Sequence, residues 1–279
     1  MPDRINVSDF DLAATLECGQ AFRWNREADG WFTGVVGQRR LRVRQAGNTL
    51  EGDVDPRYFA LDVSLPKIIA TFPDDPALSG AVANHRGLRV LRQEPWETLA
   101  SFIASSTKQI VQIRQIVAAL ADRFGEHDAF PAPDVIARAT LPELATCKLG
   151  FRAKYLLAAA QAIDRGTLRL DKLPGMDYER AVEELTKLHG VGEKIAACTL
   201  LFSCGHDDAF PIDVWVERSL RRLYFPGQKI TARQLRQFTR SHFGPYAGWA
   251  QQYLFFSERR RGRLPVAAAD SSLASPRRP

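Results

Sequence analysis

The sequence predicts an α+β fold, in which an N-terminal antiparallel β-sheet domain precedes an all-helical domain that contains a helix-hairpin-helix motif. Short apolar segments alternate between about Gln20 and Val54 and are separated by glycines, as in strands joined by turns. From about Trp96 onward, apolar residues recur with the 3.6-residue period of helices. Strands that come first and helices that follow define the α+β class.

Three strand-like segments make up the predicted sheet. They are Ala21-Phe22-Arg23-Trp24, Trp31 to Val36 and Leu41-Arg42-Val43-Arg44, separated by Gly30, Gly37 and Gly47. Glycine tolerates the positive φ angles of tight turns, so these positions suit the ends of strands. We therefore predict an antiparallel β domain at residues 1–92.

Seven helices are predicted after the sheet. The first, between Lys108 and Gly125, has an apolar face formed by Ile110, Ile113, Val117, Leu120 and Phe124. The others are predicted at Arg152 to Asp164, Tyr178 to Leu188, Glu193 to Ser203, Val214 to Leu223, Ala232 to His242 and Tyr246 to Arg260. These helices predict a helical domain at residues 93–264. Residues 265–279, rich in Ala, Ser, Pro and Arg, are predicted to form a disordered tail.

Composition narrows the classes of function. The chain has 279 residues, 45% hydrophobic and 25% charged, as in ordinary globular proteins, and its net charge of +6 suggests a polyanionic partner such as nucleic acid. No apolar run approaches the roughly 20 residues of a membrane span. No secretion signal is visible, so we expect a cytosolic location, or a nuclear one in a nucleated cell. The four scattered cysteines lack CxxC spacing and predict no metal or iron–sulfur site.

The densest chemistry lies in Leu188-His189-Gly190-Val191-Gly192-Glu193-Lys194, between two predicted helices. Gly190 and Gly192 permit a tight turn with positive φ and let a DNA backbone approach main-chain amides at the start of a helix, where phosphate binds. A Gly-x-Gly turn is equally consistent with a helix connection that has no function. Lys194 lies in the first helical turn, where the positive end of the helix dipole favours the uncharged, nucleophilic amine.

An aspartate follows the lysine after nineteen residues, in Pro211-Ile212-Asp213. Asp213 immediately precedes the helix predicted from Val214, so it is well placed as an N-cap. A carboxylate at this position can also stabilise the cationic sugar that develops when a glycosidic bond breaks. The two roles are compatible.

The hairpin, Lys194 and the Pro-x-Asp segment together resemble the helix-hairpin-helix DNA glycosylases, whose signature is a hairpin followed by Gly/Pro and an aspartate. Within that superfamily the chain is most similar to the 8-oxoguanine DNA glycosylases. The likeness runs from Cys18-Gly19-Gln20-Ala21-Phe22-Arg23-Trp24 to Gly244-Pro245-Tyr246-Ala247-Gly248-Trp249-Ala250-Gln251 and leaves out little but the tail. It implies a partner, double-stranded DNA with a damaged guanine, and chemistry without a cofactor or metal. We also expect a monomer.

The resemblance implies a role for each candidate residue. Lys194 would attack the sugar C1′, Asp213 would assist it, and a Schiff base followed by β-elimination would nick the strand. The flipped base would be bound by four residues: Gly19, whose carbonyl reads the N7 hydrogen, Gln251 at the Watson–Crick edge, and Cys198 and Phe255 on its faces. The DNA would be bound by Gly190, Val191, Gly192, Arg152, Thr107, Lys108 and Gln109.

Three departures from the family pattern are visible. Thr107-Lys108-Gln109 replaces a run of asparagines that reads the cytosine opposite the lesion, and Gln112 replaces one of two arginines that also read it. Arg152 retains the second arginine. Trp215 stands where relatives often have a phosphate-contacting histidine. We therefore expect a weaker preference for opposite cytosine than the family usually has.

Other functions stay open. One is a glycosylase for another damaged purine. A second is a monofunctional alkylated-base glycosylase, although such enzymes generally lack the hairpin lysine. The thymine-glycol and adenine glycosylases usually carry four C-terminal cysteines on an iron–sulfur cluster, whereas no cysteine follows Cys204 here. A non-catalytic helix-hairpin-helix DNA-binding module would have no use for Lys194 and Asp213 together.

Overall fold

The computed structural model describes residues 4–262, so the predicted tail at 265–279 lies outside the described residues. Its five strands are β1 Arg4–Asn6, β2 Asn25–Arg26, β3 Phe32–Val36, β4 Arg39–Ala46 and β5 Thr49–Gly52. They form one sheet in the order β1-β5-β4-β3-β2, and every neighbouring pair is antiparallel. The predicted antiparallel sheet that precedes a helical region is confirmed.

One predicted strand is wrong. Residues 21–24 are irregular, and the strand that pairs with β3 begins only at Asn25. The apolar side chains of this segment are buried in two different cores, because Phe22 packs among the helices and Trp24 packs under the sheet. A segment that passes between two cores alternates its apolar residues much as a strand does.

Residues 4–262 contain thirteen α-helices, six of which were not predicted individually. The first part of the chain contains three that were not predicted, α1 Leu12–Glu17, α2 Leu65–Ile69 and α3 Pro76–Asn84. The rest are α4 Pro95–Ser105, α5 Ile110–Phe124, α6 Pro133–Arg138, α7 Leu141–Thr146, α8 Ala153–Asp164, α9 Tyr178–Thr186, α10 Glu193–Ser203, α11 Val214–Tyr224, α12 Ala232–His242 and α13 Ala247–Arg261. All seven predicted helices are present, with ends that agree within two residues. None of the described helices is long and apolar enough to cross a membrane.

Three apolar clusters form the core. One lies under the sheet, and a second joins α4, α5, α8, α9 and α10. The third contains Leu78 of α3 together with Leu220 of α11 and Tyr253 of α13. Part of the N-terminal segment therefore packs on the last helices of the chain. The division between residues 92 and 93 stays a prediction.

Buried polar side chains fix the two segments that border the candidate site. Gln20 is fully buried, its Nε2 donates to the Arg89 carbonyl at 2.7 Å, and its Oε1 accepts from the Leu91 amide at 2.9 Å. The fully buried indole of Trp249 donates a hydrogen bond at 2.9 Å to the partly buried carboxylate of Asp207. Paired buried polar groups of this kind allow little rearrangement. The loop that precedes Gln20 and the start of α13 are thus held in place.

Candidate active site

A cavity of about 790 Å³ lies between α4, α5, α10, α11 and α13. Its lining includes both predicted catalytic residues, all four predicted base-binding residues and three of the predicted DNA-binding residues. They are Lys194, Asp213, Gly19, Cys198, Gln251, Phe255, Thr107, Lys108 and Gln109. The other predicted DNA-binding residues, Gly190, Val191, Gly192 and Arg152, lie outside this lining.

Lys194 enters the cavity from the first turn of α10. Its Nζ donates to the Ser105 hydroxyl at 3.2 Å and lies 4.9 Å from the centre of the Phe102 ring. Ser105 in turn donates to the Phe102 carbonyl at 2.7 Å, which fixes the hydroxyl. Among residues 4–262 the lysine forms no ion pair. A neutral hydroxyl and an aromatic face therefore position the amine without locking it to a carboxylate.

Asp213 is the N-cap of α11, as predicted. Its backbone is extended, and its Oδ1 accepts the amide hydrogen of Val216 at 2.8 Å. This bond is typical of N-cap aspartates and fixes the direction of the side chain. The half-buried carboxylate thus lies in the cavity wall that also carries Lys194.

The base-binding candidates form the buried part of the cavity. Gln251 is only 4% exposed, and its Oε1 has no hydrogen-bond partner within the described part of the chain. An unsatisfied buried amide oxygen costs about 1–3 kcal/mol, so a donor from a ligand would be stabilising there. Phe255 follows one helical turn later on the same face of α13.

Cys198 is a buried thiol on α10, one turn after the lysine. Burial raises its pKa to about 11; the positive charge of Lys194 opposes this shift and the negative charge of Asp213 adds to it. The side chain is therefore a neutral thiol at physiological pH. It presents a small apolar surface to the cavity, as a residue that packs on a base requires.

Gly19 occupies a position that only glycine fits. Its φ is +93°, and a Cβ there would lie 2.6 Å from Cδ1 of Ile110, 3.1 Å from Nη1 of Arg259 and 3.5 Å from Cε1 of Phe255. A side chain would therefore be strained and would intrude on the cavity. The absence of one leaves the main chain of Gly19 at the wall.

The hairpin between α9 and α10 uses its two glycines differently. Gly190 has φ +88°, and a Cβ would lie 2.3 Å from the ring of Tyr155. Gly192 has extended backbone, so the predicted positive φ applies to Gly190 alone, and a Cβ on Gly192 would meet nothing within 4 Å. Val191 is 5% exposed and its amide donates to the Leu188 carbonyl at 3.0 Å, so it anchors the turn. Within residues 4–262 the amides of both glycines lack an acceptor.

The segment that replaces the family's run of asparagines forms a strained turn at the cavity edge. Thr107 has φ +55°, and the guanidinium of Arg152 donates to its hydroxyl and to the Ser106 carbonyl. Arg152 is 3% exposed, and its guanidinium is already hydrogen-bonded to this turn. Its contact with DNA stays a prediction. The Gln109 amide donates to Oε1 of Gln112 at 3.0 Å, so this glutamine caps α5.

Arg259 is a cavity residue that the sequence analysis did not assign to the site. Its Nη1 donates to the Cys18 carbonyl at 3.4 Å, and its guanidinium carbon lies 5.6 Å from the centre of the Phe255 ring. The signal was available, because Arg259 follows Phe255 by four residues and so shares its helical face.

Exposed apolar side chains surround the cavity mouth, which the sequence pattern did not reveal. Val111, Val214 and Trp215 line the cavity and are 60%, 60% and 39% exposed. Phe151, next to Arg152, is 57% exposed. Exposed apolar clusters mark interaction sites, and such side chains suit contact with bases and sugars.

Metal ligands are not grouped at this site. Across the described residues, no three or more His, Cys, Asp or Glu side chains are arranged to hold a metal ion. The four cysteines are buried free thiols.

Comparison with known families agrees with this site. Residues 100–245 match the HhH-GPD superfamily of base excision DNA repair proteins, and residues 4–55 and 56–99 match the N-terminal domain of 8-oxoguanine DNA glycosylase. The superfamily match includes the hairpin, Lys194 and Asp213. The fold and site thus define the class as helix-hairpin-helix base excision repair proteins.

Three known proteins are similar to this chain over nearly its whole length. MBOgg1, solved in complex with a low-affinity DNA ligand, has a TM-score of 0.89 and 36% identity over 93% of this chain and 96% of that one. The 8-oxoguanine glycosylase/lyase of Clostridium acetobutylicum, solved with dsDNA containing cytosine opposite to 8-oxoG, has a TM-score of 0.86 and 30% identity over 94% and 98%. The probable N-glycosylase/DNA lyase of Methanothermobacter thermautotrophicus is 30% identical over 94% of this chain and 97% of its own. The chain belongs to the 8-oxoguanine DNA glycosylase family of this superfamily.

Proposed function

We propose that this protein is a bifunctional DNA glycosylase and abasic-site lyase that excises 8-oxoguanine from double-stranded DNA. One observation carries the proposal: the amine of Lys194 and the carboxylate of Asp213 line one cavity of about 790 Å³. That volume lies within the range of about 300–1,000 Å³ that is typical of small-molecule sites. The family relatives named as glycosylase/lyases support the same activity.

The chemistry follows from these two side chains. The Lys194 amine attacks C1′ of the sugar, the bond from C1′ to the base breaks with its electron pair on the base, and the amine gives up a proton. Asp213 stabilises the positive charge that develops on the sugar. The sugar ring then opens to a Schiff base, loss of a C2′ proton expels the 3′ phosphate, and water releases the lysine.

The buried end of the cavity provides recognition of the base. The unpartnered Gln251 oxygen accepts from the Watson–Crick edge of a flipped guanine, whose N1–H and amino group are donors. The Gly19 carbonyl accepts from N7–H, which 8-oxoguanine has and guanine lacks. Cys198 and Phe255 pack on the two faces of the ring.

The hairpin and the mouth of the cavity hold the DNA. The amides of Gly190 and Gly192 and the start of α10 bind a phosphate near the lesion. Exposed Phe151 occupies space in the base stack beside the flipped nucleotide. A net charge of +6 favours association with DNA. With this substrate the enzyme acts at the nucleoid of a bacterium or in the nucleus of a eukaryote.

Borohydride trapping on an 8-oxoguanine duplex tests the proposal. Wild-type protein should form a covalent complex and nick the strand, whereas Lys194→Gln should do neither and still bind the duplex, because the amine acts in the chemical step. Lys108 is the other lysine of the cavity lining, so Lys108→Gln is the matched control, and it should bind more weakly but still be trapped. A Lys194→Gln protein that nicks at the wild-type rate would contradict the assignment.

A further inference from the structure

Two residues in the last turn of α4 lie beside the amine of Lys194. The Ser105 hydroxyl accepts a hydrogen bond from its Nζ at 3.2 Å, and the centre of the Phe102 ring lies 4.9 Å from the same nitrogen. Ser105 is 8% exposed and Phe102 is 4% exposed, and both line the cavity. The nitrogen that the proposed function makes the nucleophile therefore has a buried oxygen acceptor and a buried aromatic ring as neighbours.

The Ser105 hydroxyl acts toward this nitrogen as an acceptor. Its own hydrogen is donated to the Phe102 carbonyl at 2.7 Å, which leaves the lone pairs of the oxygen for an N–H group. Such an oxygen binds the N–H of a cation more strongly than that of a neutral group. Ser105 is thus suited to stabilise positive charge on the nitrogen during the reaction.

The Phe102 ring is held in one plane by two other aromatic rings. Phe22 packs edge-on against it with ring centres 5.6 Å apart, and Phe202 stacks with it at 5.5 Å. The face of an aromatic ring attracts a cation, and the attraction is larger where the pair is shielded from water. The ring is therefore a fixed neighbour that also favours positive charge on Nζ of Lys194.

The covalent intermediate of a lyase carries a positive charge on this same nitrogen. When the sugar ring opens, Nζ of Lys194 becomes an iminium that is bonded to C1′ and Cε and keeps one hydrogen. We propose that Ser105 and Phe102 are positioning residues for this iminium, in which the hydroxyl accepts the single N–H and the ring stabilises the charge. Their role rests on the proposed function, since only a nucleophilic Lys194 forms this species.

Strand nicking depends on this cation. Loss of the C2′ proton to water leaves its electron pair in the bond between C1′ and C2′, and the pair of the C=N bond moves onto nitrogen. That pair returns as the bond between C3′ and the phosphate oxygen breaks with its electrons on the oxygen. An iminium that is stabilised in one orientation persists longer before water attacks C1′ and releases the lysine. Ser105 and Phe102 thereby set the balance between base excision and nicking.

Ser105→Ala removes the acceptor. In single-turnover reactions on an 8-oxoguanine duplex, base release is measured after alkali and strand nicking without it. Base release should stay within about threefold of wild type, because the sugar carries most of the positive charge as the base leaves. Nicking should fall about 10-fold, as expected for loss of a hydrogen bond to a cation. The fraction of protein that borohydride traps on a preformed abasic duplex should fall as well.

Ser203→Ala is the matched control. The Ser203 hydroxyl donates to the Thr199 carbonyl one turn earlier on α10 at 2.6 Å, and this residue is outside the cavity lining. The control should keep the wild-type ratio of nicking to base release. A ratio that is also unchanged in Ser105→Ala would overturn the inference. Wild-type protein that neither releases 8-oxoguanine nor is trapped would instead contradict the proposed function.

Phe102→Leu tests the ring separately. Leucine keeps an apolar side chain in the core and removes the aromatic face, so the ratio of nicking to base release should fall about threefold or more. Both activities come from the same folded molecules, so a loss of stability alone would lower them together and leave their ratio unchanged. An unchanged ratio would show that the ring packs in the core without acting on the iminium.

Discussion

At the scale of single residues, Asp213 has a structural role as the N-cap of α11 and a proposed chemical role, and one substitution can separate the two. In Asp213→Asn the amide oxygen can still accept from the Val216 amide, so the cap on α11 survives while the negative charge is lost. We expect thermal stability close to wild type and single-turnover excision slower by about 100-fold or more. Asp213→Ala, the control, should also lose about 1 kcal/mol of stability with the cap. Excision by Asp213→Asn within a few-fold of wild type would reduce the residue to a helix cap.

Thr107 is a second residue whose local geometry has a functional consequence. The family resemblance places Thr107 opposite the cytosine, where its side chain is too short to repeat the contact of an asparagine. Gln112 caps α5 and Arg152 is held by the turn. Lys108 adds affinity for phosphate regardless of the base. We therefore expect 8-oxoguanine excision with a weak preference for opposite cytosine. Single-turnover rates on four duplexes that differ only in the opposite base measure this, and a preference on the order of 100-fold would contradict it.

Thr107→Asn should restore part of that preference. A β-branched residue at φ +55° is strained, and asparagine is the non-glycine residue that adopts this conformation most readily. We expect the variant to gain up to about 1 kcal/mol of stability. Its preference for opposite cytosine should increase, since a well-made contact to a base edge contributes about 1–3 kcal/mol of discrimination. Higher stability without altered selectivity would show that only the strain was relieved.

At the scale of elements, the hairpin offers a matched pair of glycines. A Cβ on Gly190 would clash with the Tyr155 ring, and the positive φ of this residue is unfavourable for alanine. Gly190→Ala should therefore lower the free energy of unfolding by about 1–3 kcal/mol. Gly192 has extended backbone and open space, so Gly192→Ala should fold normally and instead weaken DNA binding, because its methyl group obstructs the phosphate. Urea unfolding and duplex binding distinguish the two. Equal destabilisation by both substitutions would contradict this division of roles.

Helix length explains part of what the sequence failed to predict. The longer amphipathic helices, such as α5, show several turns of a 3.6-residue pattern, whereas α1 and α2 have six and five residues and show less than two turns. The positions of Lys194 and Asp213 were predictable because each residue lies at a helix start. Arg259 was not predicted as a site residue, since its contact with the Cys18 carbonyl joins residues 241 positions apart. Spacing along a chain does not reveal such contacts.

At the scale of the whole molecule, residues 21–24 connect the sheet core to the helical core, and they bring an arginine to the start of α4. Nη1 of Arg23 lies 3.6 Å from a carboxylate oxygen of Glu97, and their side chains are 9% and 20% exposed. Burial raises the pKa of Glu97 from its ordinary value of 4.5 to about 7; the charge of Arg23 opposes the shift and that of Glu94 adds to it. The folded protein therefore holds a proton at Glu97 over a range in which the unfolded chain has released it.

This proton makes the stability of the whole fold depend on pH. The contribution of this proton to the free energy of unfolding is fully present below about pH 4.5. It falls as the pH rises through about 7, because in this range the folded state still binds a proton that the unfolded state has already released. Between pH 5.5 and 8 the wild-type free energy of unfolding should fall by an extra amount on the order of 1–2 kcal/mol relative to Glu97→Gln, which cannot titrate. Urea unfolding at both pH values measures the difference, and Glu183→Gln, on an exposed face of α9, should behave like wild type. If Glu97→Gln loses stability in parallel with wild type over this range, the pH dependence of stability arises from groups other than Glu97.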